Sequence, residues 1–379
     1  MYKLKKILFV RNFASEVNLS TYNLQEVGFG KALVRKGIDC DIVYYTKKDS
    51  REETIYNYGE NCLRILWRPA IKVLSNGIFV PLLKKGFIKS YDYIISTEYN
   101  QIMTYLLSSK YKNKIILYHG PYRDNNNRFI QNVYDIIFSK SISTNLNSIF
   151  VKSLLAKEYL VEKGFRDIKQ LGVGLDLENI DNPNIGEIDI IREKYLSALS
   201  DKKVLLYIGK LEDRRNIKFL LELIAYISLK EDNFVLLLIG DGNEADIKKY
   251  FQYAKELDVL NKIIHIPKIK QKNLRVFYES ADIFVFPTEY DIFGMVLLES
   301  MYFGLPVIST INGGSNTLIR NEENGFIIPE LNLETWSKII LDLSKDKILY
   351  NSIAEKAIKT ISENYQWDKL VERFIKQLN

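Results

Sequence analysis

Cysteine, histidine and long apolar runs are scarce in this chain of 379 residues. Its two cysteines, Cys40 and Cys62, are too few for a disulfide framework or a cysteine-ligated zinc site, so the sequence predicts a reduced, cytoplasmic setting. No apolar stretch reaches the roughly 18 residues that a transmembrane helix requires. The opening residues MYKLKKILFV lead directly into a strand pattern, so we expect no signal peptide.

What the chain does contain is a globular composition with unevenly distributed charge. Hydrophobic residues make up 47% and charged residues 26%, and the length predicts two domains. The net charge of +6 divides into +10 over residues 1–180 (27 Lys and Arg, 17 Asp and Glu) and −4 over 181–379 (26 and 30). This division indicates different partners for the two halves, with compositional scatter as the alternative. We expect no nucleic-acid partner.

Two series of alternating strand and helix patterns predict an α/β protein with two doubly wound domains. The first series has the strand KKILFV, a helix from about Ser20 to Lys36 with Ser20 or Thr21 as N-cap, and the strand CDIVYYT. The second series begins at KVLLYIGK. These patterns divide the chain into a first domain (1–176), a linker containing DNPNIGE (177–202), a second domain (203–349) and a final helix (350–379).

The segment 287–304, PTEYDIFGMVLLESMYFG, carries two acids eight positions apart, Asp291 and Glu299. At about 3.6 residues per turn both acids can face one ligand. Amides at the start of the helix between them are expected to be free for a diphosphate: those of Phe293, Gly294, Met295 and Val296. Acids for sugar hydroxyls beside amides for phosphate predict a nucleotide-sugar site; two unrelated surface acids are the alternative.

This segment resembles the acid-x7-acid motif of retaining GT-B glycosyltransferases, family 4 in particular, although Asp291 replaces the usual Glu. The resemblance covers nearly the whole chain and is strongest over 203–330. It implies a GT-B fold of two Rossmann-like domains facing across a cleft, with the acceptor on the first, the donor on the second, and the final helix crossing back to the first. It also implies that Glu299 binds the ribose hydroxyls and Asp291 a hydroxyl of the donor sugar.

Two cations follow the first strand of the second series. The resembled family has Gly-Arg, then Lys six residues after the Gly; this chain has Gly209, Lys210 and Arg215, with the two cation types exchanged. Gly209 allows close approach of a ligand, and Lys210 and Arg215 are assigned to the catalytic neutralisation of the leaving diphosphate. Arg214 is the alternative to Arg215, and a solvated basic loop is the alternative to both.

Two further loops complete the implied donor site. LLLIGDGN places Gly240 and Gly242 after a strand, in the form of a nucleotide-contacting turn. By the resemblance, residues 266–269 line the base, with Lys268 and Ile269 near it, and a UDP-sugar is favoured. Gly313-Gly314 is either another turn near the cleft or a plain β-α turn.

Histidine occurs twice. His119, at the end of the strand KIILYHG, resembles a family position that contacts the transferred sugar, and it is assigned to the catalytic set. His265 lies inside an apolar strand and is expected to be structural. The loop after the first strand lacks the family's glycine pair; four polar residues in or after it are candidates for acceptor or phosphate binding, namely Arg11, Asn12, Ser20 and Thr21.

The resemblance implies transfer of a hexose-type unit from a nucleotide diphosphate sugar to a hydroxyl of a lipid-linked or growing surface-polysaccharide acceptor, with retention at the anomeric carbon. Asp39 and Asp41 match Asp-x-Asp, but we interpret them as edge residues. No metal and no other cofactor is expected, because basic residues supply the charge that a metal would supply. Richness in Lys, Ile, Asn and Tyr is typical of an AT-rich bacterial genome.

Two other functions remain open. One is an inactive accessory subunit of a partner glycosyltransferase, and the other is a GT-B nucleotide-sugar 2-epimerase. The segment 67–90 mixes aromatic and aliphatic residues with Arg and Lys, which predicts a surface for an anionic membrane and a peripheral position at the inner face of the plasma membrane. Core residues with solvated lysines are the alternative for this segment.

Overall fold

The structure is a computed structural model that describes residues 4–19, 24–73, 76–84, 86–124, 127–178, 185–199 and 201–378. The chain forms two compact units: unit 1 comprises Met1–Gly174 and Trp367–Asn379, and unit 2 comprises Leu175–Gln366. None of the helices in these described ranges is both long and apolar enough to cross a bilayer.

The strands of unit 1 are β1 Lys6–Val10, β2 Asp39–Tyr45, β3 Arg51–Tyr58, β4 Asn61–Arg68, β5 Ile71–Val73, β6 Asn76–Ile78, β7 Tyr93–Thr97, β8 Ile115–His119, β9 Leu146–Val151 and β10 Ile168–Gln170. Within the described residues, eight of them form one sheet in the order β10-β9-β8-β7-β1-β2-β4-β3. Every neighbouring pair is parallel except β3 and β4. The hairpin β5-β6 stands apart from this sheet.

The helices of unit 1 are α1 Gln25–Arg35, α2 Ile102–Lys110, α3 Arg128–Tyr134, α4 Lys140–Asn145 and α5 Leu154–Glu162, with a π-helical turn, Asp135–Ser139, joining α3 to α4. The first of these begins at Gln25, later than predicted, and the predicted caps Ser20 and Thr21 lie outside the described residues.

Unit 2 contains a second sheet whose neighbouring strands are all parallel. Its strands are β11 Lys203–Ile208, β12 Phe234–Ile239, β13 Ile263–Ile266, β14 Ile283–Phe286, β15 Val307–Ser309 and β16 Phe326–Ile327, in the order β13-β12-β11-β14-β15-β16. Its central strand segments, such as FVLLLI, are continuously apolar and fully buried because helices cover both faces of such sheets.

The helices of unit 2 are α6 Ile185–Ile191, α7 Ile217–Ser228, α8 Glu244–Glu256, α9 Arg275–Ser280, α10 Met295–Tyr302, α11 Ser315–Leu318, α12 Leu333–Lys345 and α13 Lys347–Asn364; a last helix, α14 Trp367–Leu378, belongs to unit 1. The predicted linker 177–202 therefore includes a helix of unit 2.

The predicted final helix over 350–379 is divided into two helices, α13 and α14. The chain leaves the helical conformation at Tyr365, whose φ of −125° and ψ of 24° break the run. The ring of Tyr365 packs against Phe293, and its carbonyl accepts a hydrogen bond from the Leu175 amide at 2.8 Å. These contacts hold Tyr365 in unit 2, while α14 begins two residues later in unit 1.

A tryptophan fixes α14 to the first helix of the chain. Trp367 is buried and meets Phe29 edge-on at a centroid distance of 5.7 Å. Gly28, in α1, makes room for the indole, since a Cβ there would lie 2.2 Å from Trp367 Nε1. Arg35 and Asp368 form an ion pair of 2.9 Å beside this contact.

The segment 67–90 is more buried than the surface that the sequence predicted, although Ile71, Val73 and Val80 are exposed. Its large apolar side chains Trp67, Phe79, Leu82 and Ile88 are buried, and the last three pack in the core with Leu8. The alternative, core residues accompanied by solvated lysines, describes this segment.

Asp41 also differs from its interpretation as an edge residue. Strand β2 lies between β1 and β4, and Asp41 is fully buried. Its carboxylate accepts hydrogen bonds from Arg64 at 2.8 Å and from the Tyr91 hydroxyl at 2.6 Å. Burial would raise the pKa of Asp41, but Arg64, Tyr91 and Lys6 outweigh it and the pKa is lowered.

We predict that Gly28→Ala destabilises the protein by about 1–3 kcal/mol, because the added methyl group overlaps the Trp367 indole. Alanine in a helix would otherwise stabilise it by roughly 1 kcal/mol. Urea unfolding measures the change. In a Trp367→Phe background the cost of Gly28→Ala should shrink, and an equal cost in both backgrounds would contradict the proposed contact.

Candidate active site

The candidate site lies at one edge of the parallel sheet of unit 2. The strands β11, β12, β13, β14 and β15 all end there, because they run in the same direction. The loops that follow them contain all the predicted donor-site residues except Glu299 and the helical Met295 and Val296. In open α/β sheets this carboxyl edge is where ligands bind.

Asp291 lies in the turn before α10 and is held on both carboxylate oxygens. Its Oδ2 accepts a hydrogen bond from Arg215 Nη1 at 2.6 Å, and its Oδ1 accepts from the amides of Gly294 at 2.7 Å and Phe293 at 3.2 Å. Burial would lower the pKa of Arg215, but Asp291 outweighs it and the pKa is raised. The structure thus brings the first predicted acid and the second predicted cation into direct contact.

This arrangement corrects the prediction that four amides are free. Those of Phe293 and Gly294 are engaged by Asp291, because the carboxylate folds back over its own turn. The amides of Met295 and Val296, the first two residues of α10, have no hydrogen-bond partner in the described part of the chain. The anion-binding capacity at this helix start is therefore half of what the sequence predicted.

The turn 291–294 rests on the backbone of the next loop. A Cβ on Gly314 would lie 1.7 Å from the Phe293 carbonyl oxygen, and one on Gly313 would lie 2.2 Å from that of Ile292. The Gly313 amide also donates to the Asp291 carbonyl at 3.0 Å. The pair Gly313-Gly314 is therefore required for close backbone packing, which shapes the turn that carries Asp291.

Close backbone packing also explains the glycines in the loops after β11 and β12. A Cβ on Gly240, whose φ is +152°, would lie 1.8 Å from the Gly209 carbonyl oxygen, and one on Gly242 would lie 2.4 Å from that of Leu211. The two loops pack backbone to backbone at the edge of the sheet. Lys210, which lies between Gly209 and Leu211 in the first of these loops, is exposed.

Arg214 is occupied in holding its own loop to the turn of Asp291. Its Nη1 donates to the Tyr290 carbonyl at 2.7 Å, and it forms an ion pair with Glu212. Arg215 is the more buried of the two cations, with 13% of its side chain exposed against 44% for Arg214. The geometry favours Arg215 for the role that the sequence left open between them.

Glu299, on α10, is buried and already hydrogen-bonded. Its two oxygens accept from the Tyr278 hydroxyl at 2.7 Å and from Gln271 Nε2 at 2.8 Å. Burial raises its pKa, and these two donors oppose the rise only in part. Sequence reasoning missed Tyr278 and Gln271, since nothing in their local pattern signals contact with an acid more than 20 positions away.

The loop after β13, with exposed Lys268 and half-buried Ile269, is anchored from the predicted linker. Glu187, on α6, accepts hydrogen bonds from Lys270 at 2.8 Å and Asn273 at 2.6 Å. These contacts lower the pKa of Glu187 to about 2. His265 lies with its Nε2 2.9 Å from the Gly240 carbonyl oxygen, which gives it the structural role expected.

His119 has a different environment from the one predicted. It lies in unit 1 with none of its surface exposed, and its Nδ1 is 2.7 Å from Glu98 Oε2. Its ring stacks on Tyr159 and meets Tyr99 edge-on. Glu98 has a φ of +61°, which directs its carboxylate inward, where Lys152 lowers its pKa against the effect of burial. His119 is thus packed in the interior, and its predicted contact with the transferred sugar stays a prediction.

The polar loop after β1 is also partly structural. Asn12 is buried, and its side-chain amide donates to Ser96 Oγ, the Thr97 carbonyl and Thr104 Oγ1. Arg11 donates to Ser15 and lies 3.6 Å from Glu26. Of the four residues named as candidates for acceptor or phosphate binding, Ser20 and Thr21 lie outside the described residues, and Asn12 is committed to joining β1 to β7.

Residues 188–360, just under half of the chain, match the family model described as Glycosyl transferases group 1. An uncharacterized glycosyltransferase of Methanocaldococcus jannaschii is 29% identical over 180 residues, which cover 48% of this chain and 45% of that protein. The UDP-Gal:alpha-D-GlcNAc-diphosphoundecaprenol alpha-1,3-galactosyltransferase of Escherichia coli is 26% identical over 224 residues, 57% of this chain and 56% of that protein. The chain spans about half the length of the curated relatives it matches.

Solved structures resemble the chain over its whole length. Sucrose-phosphate synthase of Thermosynechococcus elongatus has a TM-score of 0.75 at 17% identity, covering 99% of both chains. Anabaena HepE in complex with UDP and glucose has a TM-score of 0.69 at 14% identity, also covering 99% of both. These likenesses confirm the predicted GT-B fold of two Rossmann-like α/β domains.

We predict that Glu299→Gln changes the pH dependence of stability. The buried carboxyl has a raised pKa, so the folded state holds its proton to higher pH than the unfolded state does. Wild-type stability should therefore fall, relative to the variant, as pH rises from about 4.5, the ordinary value of Glu. Urea unfolding at about pH 4 to 7 measures this, and a difference that does not vary with pH would contradict it.

Proposed function

We propose that the protein transfers a hexose-type sugar from a nucleotide diphosphate sugar, a UDP-sugar in preference, to a hydroxyl of an acceptor glycan. The observation that carries the proposal is the contact between Asp291 and Arg215 at the carboxyl edge of a parallel sheet, within the segment that matches the family model. The UDP and glucose in the Anabaena complex, and the UDP-Gal donor of the Escherichia coli relative, support a UDP-sugar.

In this proposal the free amides of Met295 and Val296 bind the diphosphate together with Lys210 and Arg215. The positive charge of the helix start and the two side chains stabilises the negative charge that develops on the leaving phosphate. We propose metal independence for this reason, and no other cofactor. Glu299 offers its two carboxyl oxygens as acceptors for the ribose hydroxyls.

The proposed step retains the configuration of the anomeric carbon. The bond from that carbon to the diphosphate oxygen breaks, a bond to the acceptor oxygen forms on the same face, and the acceptor proton passes to the leaving phosphate. Asp291 holds a sugar hydroxyl near Arg215 and so orients the donor. His119 is buried beside Glu98 in unit 1, and its contact with the transferred sugar remains a prediction from the sequence.

The acceptor is proposed to be a lipid-linked or growing surface polysaccharide. Two relatives are named for the biosynthesis of such products: a lipopolysaccharide core glycosyltransferase of Rhizobium meliloti and a capsular polysaccharide glycosyltransferase of Staphylococcus aureus. This chain is 24% and 27% identical to them over 212 and 238 residues. We place the reaction in the cytoplasm of a bacterium.

We predict that UDP raises the melting temperature of the purified protein more than GDP or ADP does, and that EDTA leaves the shift unchanged. Arg215→Ala should reduce the shift by more than half, because a cation facing the diphosphate is lost. Lys218→Ala is the matched control, since Lys218 is an exposed cation three residues further on, in α7, stacked over Tyr253. Equal losses in both variants would contradict the assignment of Arg215.

One observation favours the accessory subunit as a second candidate. The carboxylate of Asp291 already has three hydrogen-bond partners within the protein, as expected for an acid that only stabilises its turn. If the wild-type protein releases UDP from a UDP-sugar and Asp291→Ala does not, the result supports the transferase. A rearranged free sugar would indicate the 2-epimerase, and no response to any nucleotide would indicate the accessory subunit.

We also infer that unit 1 contacts an anionic membrane, through a surface other than the predicted segment 67–90. The stretch from α3 to α4 exposes five large apolar side chains: Phe129 (77%), Ile130 (52%), Val133 (39%), Ile136 (83%) and Ile137 (57%). Arg128 and Lys140 flank them and are exposed as well. An exposed apolar face between cations matches the interface of a bilayer with anionic lipids.

The acid of this stretch supports the same conclusion. Asp135 accepts hydrogen bonds from the Tyr99 hydroxyl at 3.0 Å and Gln131 Nε2 at 2.9 Å, and it pairs with Lys163 at 2.7 Å. Its negative charge is therefore neutralised on the inner side of the helix. Over residues 127–145 the outward face presents cations and apolar side chains without an exposed acid.

We predict that the wild-type protein cosediments with vesicles of phosphatidylglycerol at low salt and that Phe129→Ser with Ile136→Ser weakens binding by tenfold or more, as expected when about 1.5–3 kcal/mol per side chain is lost. Leu229→Ser with Ile348→Ser is the matched control, because these side chains are exposed to 86% and 84% but stand in unit 2. Wild-type protein that ignores the vesicles would refute the inference.

A further inference from the structure

A pocket that the donor reaction does not use lies in unit 1, at the carboxyl ends of β1, β2 and β4. Its volume is about 570 Å³, within the range of small-molecule sites. The loop after β1 forms one wall through Glu16 to Leu19, and the end of β2 with the start of β3 forms the other. Trp67, on β4, closes it. The neighbouring strands are parallel, so this is the edge of the sheet at which ligands bind.

Two cations line this pocket without a carboxylate partner. Neither Arg51 nor Lys48 forms an ion pair within the described residues, whereas Arg64 and Arg68 of the adjacent β4 pair with Asp41 and Glu52. Lys48 and Arg51 outnumber Glu16, the acid among the lining residues, so the pocket has a local excess of positive charge. Such an excess favours an anionic ligand.

Arg51 is also fixed in position. Its guanidinium lies over the Trp67 ring at 4.4 Å, and its Nη1 donates to Thr46 Oγ1 at 3.5 Å. The Lys48 backbone amide donates to the same hydroxyl at 3.1 Å, so both residues are tied to Thr46. A stacked guanidinium loses little freedom when it binds, and its planar donors suit a carboxylate or a phosphate.

The rest of the lining is suited to the body of a sugar. Tyr45 presents a half-buried aromatic ring, and Glu16, exposed on the opposite wall, is an acceptor for sugar hydroxyls. Leu19 and Val17 add apolar surface. A lining with cations at one wall and an aromatic ring and an acid elsewhere suits a sugar that carries one anionic group better than it suits a free inorganic anion.

We propose that this pocket binds the sugar of the acceptor that lies next to, or at, the growing end, and that this sugar carries a carboxylate or a phosphate. Arg51 and Lys48 hold the anionic group, and Tyr45 and Glu16 hold the ring and its hydroxyls. The acceptor role rests on the glycosyl transfer proposed above; the preference for an anionic sugar rests on the pocket alone.

The test is direct binding to the full chain without nucleotide, by saturation-transfer NMR and calorimetry with three probes: glucuronic acid, glucose 6-phosphate and glucose. We expect at least one of the two anionic sugars to bind ten times more tightly than glucose. Preference for glucuronic acid identifies an acidic sugar in the acceptor, and preference for glucose 6-phosphate identifies a phosphorylated one. Glucose binding as tightly as both, or no binding of either, overturns the proposal.

Substitutions of the lining residues test whether the probes bind in this pocket. Lys48→Ala and Arg51→Ala should each weaken the preferred probe at least fivefold, and Arg51→Lys should weaken it less than Arg51→Ala. Lys47→Ala is the matched control, because Lys47 is the exposed neighbour that does not line the pocket. An equal loss of affinity with Lys47→Ala would mean attraction to net charge alone and would refute the site. Inorganic phosphate that binds as tightly as the anionic sugars would also refute it.

The response to UDP separates this proposal from the previous one. Lys48→Ala and Arg51→Ala should keep the wild-type melting temperature shift with UDP, which also shows that both variants are folded. Binding of the anionic sugar without any response to UDP would uphold the pocket and remove the glycosyl transfer. A response to UDP without binding of either anionic sugar would uphold the donor site and remove the pocket.

Discussion

Close packing of one loop backbone on another is the constraint on which the candidate donor site depends. The carbonyl oxygen of Ile292 lies against Gly313 and that of Phe293 against Gly314, at distances that leave no room for a Cβ. The carbonyl oxygen of Gly209 lies against Gly240 in the same way. Because the strands are parallel, all these loops leave the sheet at one edge and have to share the space there. The position of Asp291, and through it that of Arg215, follows from this packing.

Much of this arrangement could be predicted from local sequence. Continuous apolar strands separated by helical patterns predicted both sheets, and the spacing of Asp291 and Glu299 predicted one acid in the turn before a short helix and a second acid further along it. What could not be predicted was which groups are already occupied. The hydrogen bonds that Asp291 accepts from two amides depend on the rotation of its side chain. The contacts of Glu299 with Tyr278 and Gln271 depend on how α9 and α10 pack.

Burial explains the other differences between expectation and structure. A histidine at the end of a strand and a segment rich in aromatic and basic residues have the same local pattern whether they face inward or outward. His119 and Phe79 turn out to be interior, whereas the apolar residues of α3, which the sequence did not single out, are exposed. Only the tertiary structure distinguishes these cases, because exposure depends on neighbours that are distant in the chain.

The connectivity of unit 1 has a consequence for the order in which the protein matures. Unit 2 is inserted between the first part of unit 1 and α14, so Phe29 and Gly28 obtain their Trp367 partner only after unit 2 has been synthesised. Throughout synthesis of unit 2 the apolar face of α1 stays uncovered, and the nascent chain must avoid aggregation with that face exposed. The same connectivity favours a circular permutant that begins with α14 for producing unit 1 alone.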